Sequence, residues 1–184
     1  SIGKRFKEEK FRTKVNPFGV MYNPVSILHT VRKLSNQAFD IVVFTLGTNH
    51  VYIEKATGEI VDNCQKRPQK LFNEQELTID ESANALREAI HLLKKQNPNV
   101  KVIVTVSPIR YAKYGFHGSQ LSKATLLLAA DKLVREEGEA VYYFPAYEIV
   151  NDELRDYRFY KEDMIHPTQQ AVHYIFEKFG NAYF

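Results

Sequence analysis

The stretch Asp40-Ile-Val-Val-Phe-Thr-Leu46 decides the fold, because it is an almost wholly apolar run that ends directly at a glycine. Two further runs have the same character, Val100-Lys-Val-Ile-Val-Thr-Val106 and Ala140-Val-Tyr-Tyr-Phe144. Short, continuous apolar runs bounded by turn residues are typical of strands buried on both faces, as in parallel sheets. The sequence therefore predicts at least three strands of a parallel sheet.

Helical patterns lie between these runs. Thr78 and Glu81 form a capping-box pattern at the start of one of them, and Asn97-Pro98 ends it. The predicted helices run from about Thr78 to Asn97, from Leu121 to Glu137 and from Thr168 to Phe179. Strands that alternate with helices predict an α/β fold with three layers, α/β/α, around a mostly parallel, flavodoxin-like sheet.

Two features depart from this alternation. The segment from Tyr52 to Asp62 contains Thr57-Gly58 and is predicted to be a small hairpin insertion. The chain opens with a helix-like stretch, Ile2 to Phe11, whereas a doubly wound sheet begins with a strand that ends at the ligand site. We therefore expect the first strand to lie upstream of Ser1, and residues 1–184 to form a single domain that is incomplete at its N-terminus.

Composition and charge argue against several classes of function. The 25 Lys and Arg residues and 22 Asp and Glu residues give a net charge of +3, which is too even to indicate nucleic-acid binding. Cys64 is the only cysteine, so no intrachain disulfide is possible. No apolar run approaches the ~18 residues of a membrane span, and no signal-peptide pattern is present. We expect a soluble, cytoplasmic protein with neither nucleic-acid nor membrane partners.

The long segment after the third apolar run contains Asp163-Met-Ile-His166-Pro167, just before the last predicted helix. In open α/β sheets, ligands bind beyond the carboxyl ends of the strands. An Asp and a His three residues apart can face the same way, so that the carboxylate holds one imidazole nitrogen and the other is free to act as a base. The alternative is an Asp that caps the region and a His packed at a helix start.

Two glycine-containing segments are candidates for donating hydrogen bonds at the same site. Gly47-Thr-Asn-His50 directly follows the first apolar run, and the Asn49 side chain can donate to a developing oxyanion. Gly19 can supply a backbone N–H in the same way. The alternative is that these segments are simple turns, since Asn and Gly are turn residues. Of the other histidines, His50 and His117 fall in predicted loops, and His29, His91 and His173 are expected at the surface of helices.

Taken together, these residues resemble the SGNH hydrolase superfamily, whose ordered blocks are a nucleophilic Ser, a Gly, a Gly-x-Asn and an Asp-x-x-His. Gly19, Gly47 with Asn49, and Asp163 with His166 match the last three blocks. The pattern is closer still to the bacterial GSCFA family. The segments that carry this resemblance are Ile2-Gly3, Asn16 to Gly19, Tyr22-Asn-Pro24, Asn63-Cys64, Ser107-Pro-Ile-Arg110, Ser122-Lys123 and Asp163 to Pro167. Gln65 stands where that family often has a His.

The resemblance implies a serine hydrolase of ester or acyl bonds, acting on a small-molecule or carbohydrate ester and needing no metal or cofactor. It implies His166 as the base, Asp163 as its orienting partner, and Asn49 with the Gly19 N–H as oxyanion donors. The family's Gly-Ser-Cys-Phe-Ala block precedes the Ile-Gly pair, so the nucleophile is expected upstream of Ser1. We also expect Asn49 and His166 to line one cleft.

Two alternatives stay open. The first is a non-catalytic ligand- or carbohydrate-binding domain on the same fold. The second is a metal hydrolase that uses His50, Asp163 and His166, although this spacing is a weak metal pattern. Other serines that could act instead of an upstream nucleophile are Ser107, Ser119 and Ser122. Ser119 and Ser122 are predicted to lie at a helix start, where Ser is a preferred N-cap.

Overall fold

A computed structural model describes residues 21–34, 36–65 and 67–184 of the protein. Apart from short 3-10 turns, its elements in chain order are α1 Pro24–Lys33, β1 Ile41–Leu46, β2 His50–Glu54, β3 Ile60–Val61, β4 Phe72–Glu76, α2 Ile79–Gln96, β5 Lys101–Val106, α3 Gly115–Glu137, β6 Val141–Phe144, α4 Ala146–Glu148 and α5 Gln169–Tyr183. A π-helical segment, Ile149–Leu154, continues α4.

The three predicted apolar strands form one parallel sheet in the order β1-β5-β6. Strand β1 pairs with β5 along its whole length, with Ile41 opposite Lys101 and Leu46 opposite Val106. Strand β6 pairs with the other edge of β5, also in parallel. The predicted α/β fold with a parallel sheet is therefore confirmed.

Alternate side chains of β5 face opposite layers of helices. Val102, Val104 and Val106 belong to a core that they share with α1, α2 and α3. Ile103 belongs to a second core, which it shares with α4 and α5. Because successive side chains of a strand point to opposite faces, the sheet is the middle layer of three.

The insertion after β1 is larger than the predicted hairpin. Strand β2 pairs with both β3 and β4, which gives a second, antiparallel sheet in the order β3-β2-β4. The chain reverses around Thr57-Gly58 as predicted, and Gly58 has a left-handed φ of +71°. Strand β4 was not predicted because only its first residue, Phe72, is apolar and buried. The apolar pattern that identifies the other strands is absent from it.

Two helices extend beyond their predicted bounds. Helix α3 begins at Gly115 rather than at Leu121, and its first turn has no side-chain cap and carries the exposed Phe116. Neither a capping residue nor an apolar stripe marks that start. Ser119 and Ser122 therefore lie inside the helix, and the prediction that they begin it is wrong. Helix α5 likewise continues past Phe179 to Tyr183.

The capping box predicted at the start of α2 is present. The Thr78 N–H donates to Glu81 Oε2 at 2.7 Å, and the Glu81 N–H donates to Thr78 Oγ1 at 3.2 Å. A cap of this kind contributes about 1 kcal/mol. It begins α2 directly after Leu77, whose N–H donates to the Asn49 carbonyl at 2.9 Å. None of the helices in the described ranges is both long and apolar enough to cross a bilayer.

Candidate active site

The chain makes a sharp turn from Asp163 to His166, between the segment that follows β6 and the start of α5. Asp163 Oδ1 accepts hydrogen bonds from the backbone N–H groups of Ile165 at 2.8 Å and of His166 at 2.9 Å. Met164, in the middle of the turn, has a left-handed backbone with a φ of +56°. One oxygen of the Asp163 carboxylate therefore caps this turn.

The other oxygen of Asp163 holds the imidazole ring of His166. Asp163 Oδ2 lies 2.7 Å from His166 Nδ1. The backbone hydrogen bonds from His166 and Ile165 lower the pKa of Asp163 to about 2, and the ring contact adds to the effect. Because a charged carboxylate only accepts hydrogen bonds, it fixes the ring proton on Nδ1 and leaves Nε2 to receive another proton. The His166 side chain is 51% exposed, so a substrate can reach it.

Hydrogen bonds tie this turn to the loop that follows the central strand β5. The backbone N–H of Arg110 donates to the Ile165 carbonyl at 3.1 Å. The Tyr160 hydroxyl donates to the Pro108 carbonyl at 3.1 Å. The turn consequently lies at the carboxyl end of the parallel sheet, which is where α/β proteins bind their ligands.

Gly47 follows β1 at the same end of the sheet and is closely surrounded. Its N–H and that of Thr48 donate to the Tyr22 carbonyl at 2.8 and 2.9 Å. A Cβ atom at Gly47 would lie 2.5 Å from the Tyr111 hydroxyl oxygen and 3.1 Å from the Tyr22 carbonyl oxygen. Close packing, and not an unusual backbone angle, therefore requires glycine here.

Asn49 is buried, with 1% of its surface exposed, and its amide is partly occupied. The side-chain Nδ2 donates to the Leu77 carbonyl at 2.9 Å, and the backbone N–H donates to Ser122 Oγ at 3.1 Å. Within the described residues Oδ1 has no hydrogen-bond partner. One N–H of the side-chain amide is therefore committed to Leu77, and one is left for another acceptor.

The structure brings Asp163 and His166 together but forms no contact between Asn49 and either of them within its described part. Asn49 follows β1 and His166 follows β6, and β5 lies between these two strands. Neighbouring strands are about 4.8 Å apart, so the two segments leave the sheet about 10 Å apart. Their shared cleft stays a prediction. Gly19, the other predicted oxyanion donor, lies outside the described residues.

The Ser122-Lys123 pair was part of the family resemblance, but the burial of Lys123 against Gly47 was not predicted from the sequence. Lys123, in α3, is 2% exposed, and its Nζ donates to the Gly47 carbonyl at 2.5 Å. Its Nζ also lies 5.4 Å from the centre of the Tyr111 ring. Burial lowers the pKa of Lys123 to about 7. Lys123 thus anchors the loop that follows β1 to helix α3.

Ser122 supports the same loop from the adjacent position of α3. Its Oγ lies 3.1 Å from Thr48 Oγ1 and accepts the hydrogen bond from the Asn49 N–H. Helical spacing is the sequence signal that could have shown that Ser122 faces the interior. The buried Leu126 and Leu133 follow it at i+4 and i+11. Polar residues on such a buried stripe indicate internal contacts rather than a helix start.

His50 begins β2 rather than lying in a loop as predicted, and its ring takes no part in this arrangement. Its ring stacks on Tyr114, with 3.7 Å between the ring centres. Its Nδ1 is 3.2 Å from Glu74 Oε1 but is not aligned for a hydrogen bond. Burial lowers the pKa of His50, against the opposing effects of the nearby carboxylates of Glu76 and Glu74.

The set of metal ligands considered in the sequence analysis is therefore not assembled. Across residues 21–34, 36–65 and 67–184, no three His, Cys, Asp or Glu side chains are grouped so that they could hold a metal ion. His117 also differs from its prediction, because it is an exposed residue in the first turns of α3 and not part of a loop.

Two other histidines contact carboxylates elsewhere in the molecule. His29 Nδ1 lies 2.8 Å from Asp62 Oδ1, and Lys33 shares that carboxylate. His91 Nε2 lies 3.0 Å from Glu137 Oε1, and a lysine shares that carboxylate too. Asp163 differs from both acids, because its charge is held by backbone N–H groups and directed at one imidazole.

The chain belongs to the GSCFA family, whose sequence model matches residues 30–179. Its fold is similar to those of solved esterases. An acetyl esterase, solved as a serine-to-alanine mutant with an acetate ion, is 16% identical and has a TM-score of 0.58 over 98% of this chain and 86% of the esterase. A carbohydrate esterase of family 3 from Talaromyces cellulolyticus is 15% identical, with a TM-score of 0.57 and the same coverage. No curated protein matches the chain.

Proposed function

We propose that this protein hydrolyses ester bonds with a Ser–His–Asp triad of the SGNH type, in which His166 is the base and Asp163 orients it. The observation that carries the proposal is the 2.7 Å contact between Asp163 Oδ2 and His166 Nδ1 at the carboxyl end of the parallel sheet. Membership of the GSCFA family and a fold shared with two esterases support it.

The nucleophile in this proposal is a serine encoded upstream of Ser1. Its Oγ attacks the ester carbonyl carbon while its proton moves to His166 Nε2, and Asp163 stabilises the resulting imidazolium. His166 then gives that proton to the leaving alcohol oxygen, which breaks the ester bond and leaves an acyl-enzyme. Water, deprotonated by the same Nε2, releases the acid and restores the serine.

The negative oxygen of the tetrahedral intermediate needs hydrogen-bond donors that are already in place. The proposed donors are the free N–H of the Asn49 side chain, the Gly19 N–H and the N–H of the nucleophilic serine. Ser122 and Lys123 support this assignment, because they hold the loop that carries Asn49 through the Asn49 N–H and the Gly47 carbonyl. A buried and doubly anchored loop keeps such a donor in position.

The substrate we propose is an O-acylated carbohydrate, such as an acetyl ester. Support comes from the names of the two similar structures, an acetyl esterase and a carbohydrate esterase. A shared fold does not determine the substrate by itself, so the acyl group and the alcohol have to be found by assay.

Hydrolysis of a short-chain aryl acetate tests the proposal. The complete gene product should be active, and the 184-residue chain should be near background because it would lack the serine that His166 activates. Equal activity of both would place the nucleophile within the chain, at Ser107 after β5, since Ser119 and Ser122 are buried in α3. Inactivity of the complete protein on a wide range of acyl esters would favour the non-catalytic binding domain.

A further inference from the structure

We propose that Arg110 binds a carboxylate group of the substrate, so that the esters hydrolysed at this site carry an acidic group close to the ester bond. This inference rests on the proposed esterase function and adds a substrate class to it. It concerns the Ser107-Pro-Ile-Arg110 segment, which the proposed triad does not use.

Two tyrosine rings hold the Arg110 guanidinium. Its central carbon lies 4.0 Å from the centre of the Tyr160 ring and 5.0 Å from that of Tyr157. Tyr160 is a rigid support, since it is 7% exposed and its hydroxyl is bonded to the Pro108 carbonyl. A guanidinium that rests on aromatic faces keeps N–H groups at its edge to receive a planar anion.

The charge of Arg110 differs from that of most other arginines in having no carboxylate partner. Five arginines of the described residues pair with Asp or Glu within 4.0 Å, namely Arg32, Arg67, Arg87, Arg135 and Arg158. Within those ranges no carboxylate lies that close to Arg110, although its side chain is only partly exposed. A partly desolvated guanidinium without a counterion gains more from an incoming anion than one that is already paired.

Arg110 is also next to the proposed catalytic base. Its backbone N–H donates to the Ile165 carbonyl, and Ile165 directly precedes His166. Tyr157, the second ring beside the guanidinium, is 58% exposed and can line the entrance to the site. In this proposal, an anion on Arg110 is part of the molecule whose ester reaches His166. A planar fork of N–H donors can bind both oxygens of a carboxylate at once.

The carboxylate can belong to the alcohol part or to the acyl part of the ester. Two pairs of substrates distinguish these two positions. The first pair is an acetylated methyl galacturonoside and the corresponding acetylated methyl galactoside. The second pair is the hemisuccinate and the butyrate of one aryl alcohol. With the complete gene product, kcat/KM should be about tenfold or more higher for the acidic member of one pair, mainly through a lower KM. The pair that shows the preference identifies the source.

Arg110→Gln should bring the acidic-to-neutral ratio close to one, and Arg110→Lys should keep part of it, because a lysine retains the charge but not the planar fork. Arg158→Gln is the matched control. Arg158 also lies over an aromatic ring in the same segment, that of Phe159 at 5.0 Å, but it is paired with Asp156. Its loss should leave the ratio unchanged.

Equal rates within both pairs for the wild type, or an unchanged ratio in Arg110→Gln, would overturn the inference. If no ester is hydrolysed at all, the proposed function fails. The role of Arg110 as a carboxylate site is then tested by the binding of free acids. Calorimetry should then show that free galacturonate or succinate binds to the wild type and binds at least tenfold more weakly to Arg110→Gln. Binding of neither acid to the wild type would overturn the inference. Arg110→Met, which also removes the charge, replaces Arg110→Gln if the latter does not fold.

Discussion

In the described part of the chain, two exposed histidines at opposite ends of the parallel sheet are each seen to contact one carboxylate. His166 lies 2.7 Å from Asp163, and its side chain is 51% exposed. His91 lies 3.0 Å from Glu137, and its side chain is 55% exposed. The first pair follows the last strand, β6, at the carboxyl end of the sheet. The second joins the later turns of α2 and α3, which lead back to the beginnings of β5 and β6.

The two pairs differ in how the carboxylate is used. Glu137 divides its charge, because Oε1 faces His91 and Oε2 accepts a hydrogen bond from Lys94 at 2.6 Å. Asp163 receives two backbone N–H groups on one oxygen and the imidazole on the other. A short His–carboxylate distance therefore does not identify a candidate catalytic pair. Position at the carboxyl end of the strands and an undivided, rigidly held carboxylate distinguish His166.

Replacement of each histidine tests this difference with the largest expected effect. In the complete gene product, His166→Ala should lower kcat for aryl acetate hydrolysis by about 10³-fold or more, because the serine loses its base. His91→Ala should leave kcat within about twofold, since a surface substitution away from the site has little effect. Steady-state kinetics of the two variants measure this. Equal losses would mean that His166 has no role in the reaction that His91 lacks.

Replacement of the two acids by their amides is a finer test. Asp163→Asn can still accept the backbone N–H groups of the turn, but its amide nitrogen would donate to His166 Nδ1 and favour the wrong tautomer. We expect kcat to fall by about 10²- to 10⁴-fold with little loss of stability. Glu137→Gln should instead leave kcat unchanged. An Asp163→Asn variant as active as the wild type would exclude Asp163 as the orienting residue.

Substitution of two glycines by alanine compares how tightly the two ends of the sheet are packed. Gly47→Ala would place a methyl group 2.5 Å from the Tyr111 hydroxyl, and we expect it to lower the free energy of unfolding by about 1–3 kcal/mol. Gly180→Ala, in the last turns of α5, meets no atom of the described residues within 4 Å and should raise that free energy by about 0.5–1 kcal/mol. Denaturant titration measures both. Because Tyr111→Phe removes the oxygen that the methyl group would meet, it should relieve part of the Gly47→Ala loss.

The pH dependence of stability tests the buried lysine at the carboxyl end. Burial holds the pKa of Lys123 at about 7, below its value of about 10.4 in an unfolded chain, so the unfolded state binds more protons between these pH values. The contribution of Lys123 to the free energy of unfolding should therefore increase as the pH rises from 7 to 10. The increase is at most about 1.4 kcal/mol per pH unit. Lys123→Met should show a flatter profile. An identical slope in both proteins would mean that the buried lysine stays charged.

Local sequence patterns predicted much of this arrangement. The apolar run from Asp40 to Leu46 identified β1, the Thr78 and Glu81 pair identified the start of α2, and the spacing of Asp163 and His166 predicted their contact. Each of these features depends on residues within one element or one turn. Physical rules for single strands, helix caps and turns were therefore sufficient for them.

The features that were missed depend on contacts between distant parts of the chain. Strand β4 is polar and exists because it pairs with β2, so no apolar pattern marks it. The contact of Lys123 with the Gly47 carbonyl joins residues 76 positions apart. A lysine is also expected at the surface, because the cost of burying its charge is high. Only the packing of α3 beneath the loop after β1 shows that this lysine is buried.

Covalent labelling of the complete gene product tests the central claim most directly. An alkyl fluorophosphonate probe reacts with an activated serine hydroxyl and forms a stable adduct. Peptide mass spectrometry can then locate that adduct. The triad account predicts one adduct, on a serine upstream of Ser1, which forms far more slowly in His166→Ala and at the wild-type rate in His91→Ala. No adduct on the folded protein, an adduct on a serine within residues 1–184, or equal labelling of His166→Ala would contradict it.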